Sequence, residues 1–253
     1  MKLLIKIQYD GSCFCGYQVQ PTKRTVQGEL NAAAQRLYGF ECNVTGCSRT
    51  DTGVHAKEFY ATIEPKCGTL PSIPLVGVTK ALNSFLPEDI SVIESKYVDS
   101  DFHSRYDVKY KEYTYKLYES DRHDPFLRNY MLRLDKKYSD EQISLVCKAC
   151  EHLVGKHDFS SFMAAGSSVK STVRNIKYAY LIRTSDNTLE FKICADGFLY
   201  NMVRIIVGAM IDVASKKLSP DDIKTILDAK DRKKAPRTAP PIGLYLTHVS
   251  YTE

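Results

Sequence analysis

Hydrophobic and polar positions along this chain follow two periods, and the switches between them mark its elements. Leu3, Ile5 and Ile7 alternate with Leu4, Lys6 and Gln8, which predicts a strand from Met1 to Tyr9. Asp10-Gly11-Ser12 breaks it. After an aromatic-polar loop ending at Pro21, the period becomes helical. Val26, Leu30, Ala33, Ala34 and Leu37 share one face, with Thr25 placed to cap the helix. Strands are predicted at Glu41 to Cys47 and Glu58 to Ile63, a helix from about Ile73 to Phe85 closed by Leu86-Pro87, and a strand from Ile90 to Val98. The order β-α-β-β-α-β is the split, ferredoxin-like arrangement.

The order of elements then repeats. A long Tyr-rich strand runs from Arg105 to Tyr118, with Arg128 to Leu134 as a candidate hairpin partner. A helix covers about Ser139 to Leu153, and strands follow at about Val173 to Arg183 and Leu189 to Ala195. A strongly apolar helix spans about Phe198 to Ala214, a short helix starts near Ser219-Pro220, and Leu244 to Tyr251 is the last strand. Leaving out the hairpin partner and the short helix, this half is a second β-α-β-β-α-β, and no residue-level repeat accompanies it. The expected fold is α+β, with two ferredoxin-like halves, residues 1–101 and 102–253, forming one extended, mostly antiparallel sheet with helices packed on it.

Composition narrows the function classes. At 253 residues the chain can bury a substantial core, and its 43% hydrophobic and 26% charged residues are those of an ordinary globular protein. A net charge of +5 permits a nucleic-acid partner without requiring one. The eight cysteines form no disulfide framework. Cys147 and Cys150 fall on the apolar helix face of Ile143, Val146 and Leu153 and read as core thiols. With no hydrophobic leader before the first strand, the expected location is cytoplasmic, with reduced thiols. No apolar run approaches the roughly 20 residues that span a bilayer. The six histidines show no metal pattern, and there is no P-loop or dinucleotide fingerprint, so nothing calls for a metal or other cofactor.

Chemistry concentrates in Gly46-Cys47-Ser48-Arg49-Thr50-Asp51-Thr52-Gly53-Val54-His55-Ala56, a polar loop between two predicted strands. Asp51 is either an aspartate that shapes a turn or a reacting carboxylate. Arg204 bears on that choice. Its helix is apolar nearly all round, and a buried arginine needs a partner. The positions three and four away, Tyr200, Asn201, Val207 and Gly208, hold no acid, so the carboxylate must come from elsewhere in the fold. Asp51 is the proposed partner, held ionised by the pair, and the alternatives are another acid or an outward-bent arginine. On the Tyr-rich strand, Tyr113 and Tyr115 share one face, and Tyr106, Tyr110 and Tyr118 the other, interleaved with Lys109, Lys111 and Lys116. They serve packing or form a base-stacking platform. The basic, Pro-rich segment Lys230 to Pro241 is a solvated linker or a phosphate contact.

At these residues the chain resembles the tRNA pseudouridine synthase A family, nearly end to end. The resemblance lies in Tyr9-Asp10-Gly11, Gly16-Tyr17-Gln18, Val26-Gln27, Ser48-Arg49-Thr50-Asp51-Thr52-Gly53-Val54-His55, Ala81-Leu82-Asn83 and Leu86-Pro87. It continues through Phe102-His103-Ser104-Arg105, His157-Asp158-Phe159, Met202-Val203-Arg204-Ile205-Ile206-Val207-Gly208 and Gly243-Leu244-Tyr245-Leu246. It implies two ferredoxin-like halves, a homodimer, no metal or organic cofactor, and isomerisation of uridine at positions 38, 39 and 40 of the tRNA anticodon stem-loop. It implies that Asp51 is the essential aspartate, that Arg204 pairs with it, that Tyr113 stacks on the target uracil, and that Arg49 helps expel the nucleotide. His55, Arg105 and Leu244, which lie in these motifs, join Arg49 and Tyr113 as candidate substrate contacts. The chain departs from the family pattern at Tyr17, where Trp is frequent, at Ser48, where Gly is, and at Thr52, where Ala or Lys is. The alternative readings are a tRNA-binding module without catalysis and a synthase acting on another RNA.

Overall fold

The computed structural model describes residues 1–71, 73–166 and 169–252. The chain forms two compact units, Met1–Lys109 with Leu246–Glu253, and Tyr110–Tyr245. The division therefore falls a few residues beyond the expected boundary, and the C-terminal segment returns to the first unit.

In the first unit β1 (Lys2–Tyr9) is central, antiparallel to β4 (Ile90–Val98) on one side and to β3 (His55–Pro65) on the other. β2 (Cys42–Gly46) pairs with the far end of β3, and β10 (Leu244–Ser250) also lies beside β3. Helix α1 (Val26–Tyr38) begins as the pattern predicts, with the Thr25 side chain accepting from the Gly28 N–H, and ends at Gly39 in the left-handed region. Helix α2 (Leu75–Phe85) ends at Leu86, just before Pro87. The core is the face of β1 carrying Leu3, Ile5 and Ile7, joined by Phe59, Ile63, Leu30, Val78 and Leu82, all at most 1% exposed. Between Ile7 and Tyr9 the β1–β3 register slips. Such an irregularity re-aims the side chain that follows it, here Tyr9.

The second unit is built on β5 (Tyr110–Glu119), with β9 (Thr188–Ala195) antiparallel to it, then β8 (Val173–Ser185) and β7 (Gly155–Asp158). Helix α3 (Asp140–Glu151) carries a capping box of Ser139 and Gln142. Helix α4 (Met202–Ala214) packs against α3, and α5 (Asp222–Ala229) follows. Cys150 sits between α3 and α4, its Sγ 3.6 Å from Met210 Sδ, and burial pushes its thiol pKa up.

Four expectations are corrected here. Residues 105–109 are turn, not strand, because the His103 ring accepts from the N–H groups of Arg105 and Tyr106 while Asp107 accepts from His103 N–H. The expected hairpin partner is only β6 (Leu132–Leu134), and it runs parallel to β5. Residues 120–131 form a connection long enough to carry the chain back to the start of the strand, as a parallel pair requires. Helix α4 starts at Met202 because Asn201 is left-handed, with φ 59°. Strand β7, too short and polar to show a periodic pattern, was not foreseen.

One buried carboxylate closes the end of β5. Glu119 accepts the Tyr138 N–H at 2.7 Å and both terminal nitrogens of Arg183, and its side chain is 1% exposed. Glu119→Ala strands those donors. Because Arg183 keeps some contact with water, the expected loss is about 2–3 kcal/mol, below the usual cost of breaking a fully buried pair. Chemical denaturation measures it, and a loss within 0.5 kcal/mol, roughly the scatter of surface changes, would contradict this account.

Candidate active site

Asp51 lies half-buried in the loop between β2 and β3. The segment after β1 grips this loop by its backbone. Tyr17 N–H donates to the Thr50 carbonyl at 3.1 Å, Gly53 N–H donates to the Phe14 carbonyl at 3.3 Å, and Val54 N–H closes a turn onto the Asp51 carbonyl at 3.2 Å. The re-aimed Tyr9 places its hydroxyl 2.8 Å from the Thr50 hydroxyl, both buried. At Gly11 the two segments touch most closely. A Cβ there would stand 2.0 Å from the Val54 carbonyl oxygen, so no side chain fits without moving the loop.

His55 serves the same grip. It is 1% exposed, and its Nδ1 accepts the Gly11 N–H at 3.0 Å. Asp10 Oδ1 lies 3.1 Å from the same nitrogen, a distance that suggests an ion pair. The hydrogen bond from Gly11 decides otherwise, since it occupies the Nδ1 lone pair, and Asp10 Oδ1 already accepts from the Ser12 N–H and hydroxyl. The His55 ring is thus buried and braces the loop.

Arg49 is exposed and Arg105 half-buried. Burial lowers the Arg105 pKa first, and the nearby positive charge of Arg49 lowers it further. The sequence-predicted loop and the Phe102–Arg105 motif thus meet as a positive edge. Arg105 is anchored through its neighbour. The Ser104 hydroxyl donates to the Thr45 carbonyl at 2.6 Å, and the Tyr251 hydroxyl donates to the Ser104 carbonyl at 2.7 Å. Tyr17 stacks on Phe59 with centroids 4.6 Å apart and fits because Gly46 beneath it has no Cβ. Its hydroxyl has no hydrogen-bond partner among the described residues, and burial drives its pKa far above the usual phenol value.

In the second unit Tyr113 is 6% exposed and meets Phe198 edge-on, centroids 5.1 Å apart. Tyr115 and Tyr118 are buried at 0% and 7%, because β5 lies inside its sheet, and Tyr106 falls outside the strand. The broad tyrosine platform is therefore not formed on β5. Leu244 is 4% exposed at the start of β10, where it packs in the core.

Arg204 sits in the first turn of α4 and is half-buried rather than fully buried. Its Nη1 donates to Asn201 Oδ1 at 2.7 Å and its Nε to the Ala239 carbonyl at 2.8 Å, while Ala239 N–H donates to the Arg204 carbonyl at 3.0 Å. One turn on, a Cβ at Gly208 would stand 2.0 Å from the Arg237 carbonyl oxygen. The strap 237–239 therefore lies directly on the helix, and Ala239 alone within it sets the arginine's stem. No acid lies three or four residues from Arg204, and the amide oxygen of Asn201 serves in its place. Nothing in the sequence marked Ala239, which acts through its backbone alone.

A family model described as tRNA pseudouridine synthase matches residues 149–252, which include α4 and β10. Across the chain, identity is 41% over 250 residues to tRNA pseudouridine synthase A of Caldicellulosiruptor bescii, covering 98% of this chain and 99% of the relative. The chain belongs to the tRNA pseudouridine synthase A family. It is 44% identical over 245 residues to the Clostridium botulinum family member, covering 97% of each chain, and 42% identical over 253 residues to that of Bacillus subtilis, covering 99% of each. The family is one of isomerases. Among the described residues no group of three or more His, Cys, Asp or Glu could hold a metal ion, and no helix is long and apolar enough to cross a membrane.

Gly208→Ala is expected to destabilise the protein by about 1–3 kcal/mol, the range for overpacking, although alanine in place of a helical glycine gains about 1 kcal/mol in propensity. A thermal melt that rises with this variant would remove the strap on α4 from the account. Gly11→Ala should likewise lower turnover at least tenfold on the family's reaction by displacing the loop that holds Asp51, and parental kcat would contradict the grip described here.

Proposed function

We propose that this chain isomerises uridine to pseudouridine at positions 38, 39 and/or 40 of the tRNA anticodon stem-loop, with Asp51 as the reacting carboxylate. The observation that carries this reading is Asp51 itself. It lies within Ser48–His55, one of the segments on which the family resemblance rests, and that segment is a loop gripped on both flanks by backbone hydrogen bonds. The reaction breaks the C1′–N1 bond, turns the uracil and joins C5 to C1′, with a proton lost from C5 and one gained at N1. It is redox-neutral and needs no second substrate.

Each residue has a role its chemistry suits. Asp51 acts at the sugar or the base as nucleophile or general base. Arg204 pairs with it and keeps it anionic. Tyr113 stacks on the uracil while it turns. Arg49 helps hold the nucleotide out of its helix, a state that costs a few kcal/mol of lost stacking, and Arg105 adds positive charge beside Arg49. The protein works as a homodimer, as the family resemblance implies, and its reading as cytoplasmic rests on the sequence before its first strand.

Incubating the pure protein with unmodified tRNA and mapping pseudouridine tests the reading and separates it from a catalytically silent tRNA binder and from a synthase for another RNA. Asp51→Asn should abolish product while leaving tRNA affinity within about threefold, less than 1 kcal/mol. Residual activity near the parental level would rule Asp51 out. Arg204→Met should lower both stability and rate. A double-mutant cycle of Asp51→Asn and Arg204→Met on stability should show coupling of at least 0.5 kcal/mol, roughly the limit of additivity for sites that do not touch, and zero coupling would sink the pair.

A further inference from the structure

The second unit contains a cavity of about 780 Å³ whose wall is largely cationic. It is formed by β6 and the residues after it, the C-terminal turns of α4, and the strap 237–240. Arg133, Lys136, Lys137, Lys217 and Arg237 line it, against one carboxylate, Asp135. That carboxylate is taken up by Arg133, whose Nη2 lies 2.5 Å away, and Lys217 lies 3.6 Å from Asp212. Lys136, Lys137 and Arg237 remain, all exposed, with no ion pair among the described residues. Two neutral groups in the wall are already engaged: Gln142 Nε2 donates to the Ala214 carbonyl, and the Thr238 hydroxyl accepts from Arg232.

A concave surface lined by one sign of charge concentrates its potential and draws counter-ions. The three uncommitted cations come from two separate segments and stay in water. They suit charge spread along a chain better than a single enclosed anion, which needs buried donors around it. We propose that this cavity takes backbone phosphates of the RNA substrate, at a site built wholly within the second unit from residues other than Tyr113 and Arg204. The assignment rests on the tRNA reading above and adds to it a contact that raises affinity without taking part in the chemistry. It also resolves the two readings of the basic, Pro-rich segment. Arg232 in that segment is committed internally, to the Ala235 carbonyl at 2.9 Å and the Thr238 hydroxyl at 3.2 Å, whereas Arg237 is the arginine that faces a ligand.

The test is the triple variant Lys136→Gln, Lys137→Gln, Arg237→Gln in the full-length protein, titrated with unmodified tRNA over a range of salt. Each lost phosphate contact should make the slope of log affinity against log salt shallower by about 0.7–0.9, and affinity at low salt should fall about tenfold or more. The KM for tRNA should rise in step, with kcat at saturating tRNA within about twofold of the parent, as for a contact outside the reaction. Parental affinity and salt slope would overturn the assignment, as would a kcat that falls as far as KM rises. If tRNA binding is unchanged while inorganic phosphate raises the melting temperature of the parent alone, the cavity is a free-anion site and the RNA assignment is wrong. A parent that makes no pseudouridine, paired with a variant that still loses RNA affinity, would overturn the proposed reaction and leave this cavity standing.

Discussion

The close approach of the Gly11 backbone to the Val54 carbonyl fixes the shape of the loop that carries Asp51, and the rest of the first unit is arranged to maintain it. Two chain segments can lie this near only where one has no Cβ. The approach then lets backbone groups of Phe14, Tyr17, Thr50 and Gly53 pair with one another, which holds the form of a polar loop together with the buried side chains of Cys47 and Val54. His55, Tyr9 and Thr50 add buried side-chain bonds around the same contact. A carboxylate held this way loses little freedom on meeting a substrate, which is how positioning contributes to rate.

The second unit solves a similar problem with other means. Arg204 projects from a helix that is buried on almost every side, and its stem is set by two neutral oxygens, those of Asn201 and Ala239. Neutral acceptors orient a guanidinium without cancelling its charge. The left-handed backbone at Asn201, which Asn tolerates better than most residues, brings its amide to the arginine.

Much of this was legible in the sequence because it rests on periodicity. The strands Lys2–Tyr9 and Ile90–Val98, the Thr25 cap and the apolar α4 all follow from side-chain spacing. What escaped lies where backbone and short-range polar contacts decide. The His103 ring turned the chain where a strand was expected, and a long connection reversed the sense of β6. Ala239 has no side chain that could announce a bond through its carbonyl. At the candidate site, Asp51, Arg49 and Arg204 were visible as charges out of place, and Tyr113 through its motif. The burial of His55 and Leu244 was not visible, because a motif marks which residues matter without saying whether they face a ligand or the loop behind it.

The kind of atom each glycine faces has a consequence for how the family can vary. Gly46 lies under the rings of Tyr17 and Phe59, so a larger residue there could be accommodated by a smaller ring above it. Gly11 and Gly208 face carbonyl oxygens, of Val54 and Arg237, which every amino acid carries alike. No second-site replacement can trim them, so these two positions have no compensating partner and are closed to stepwise change.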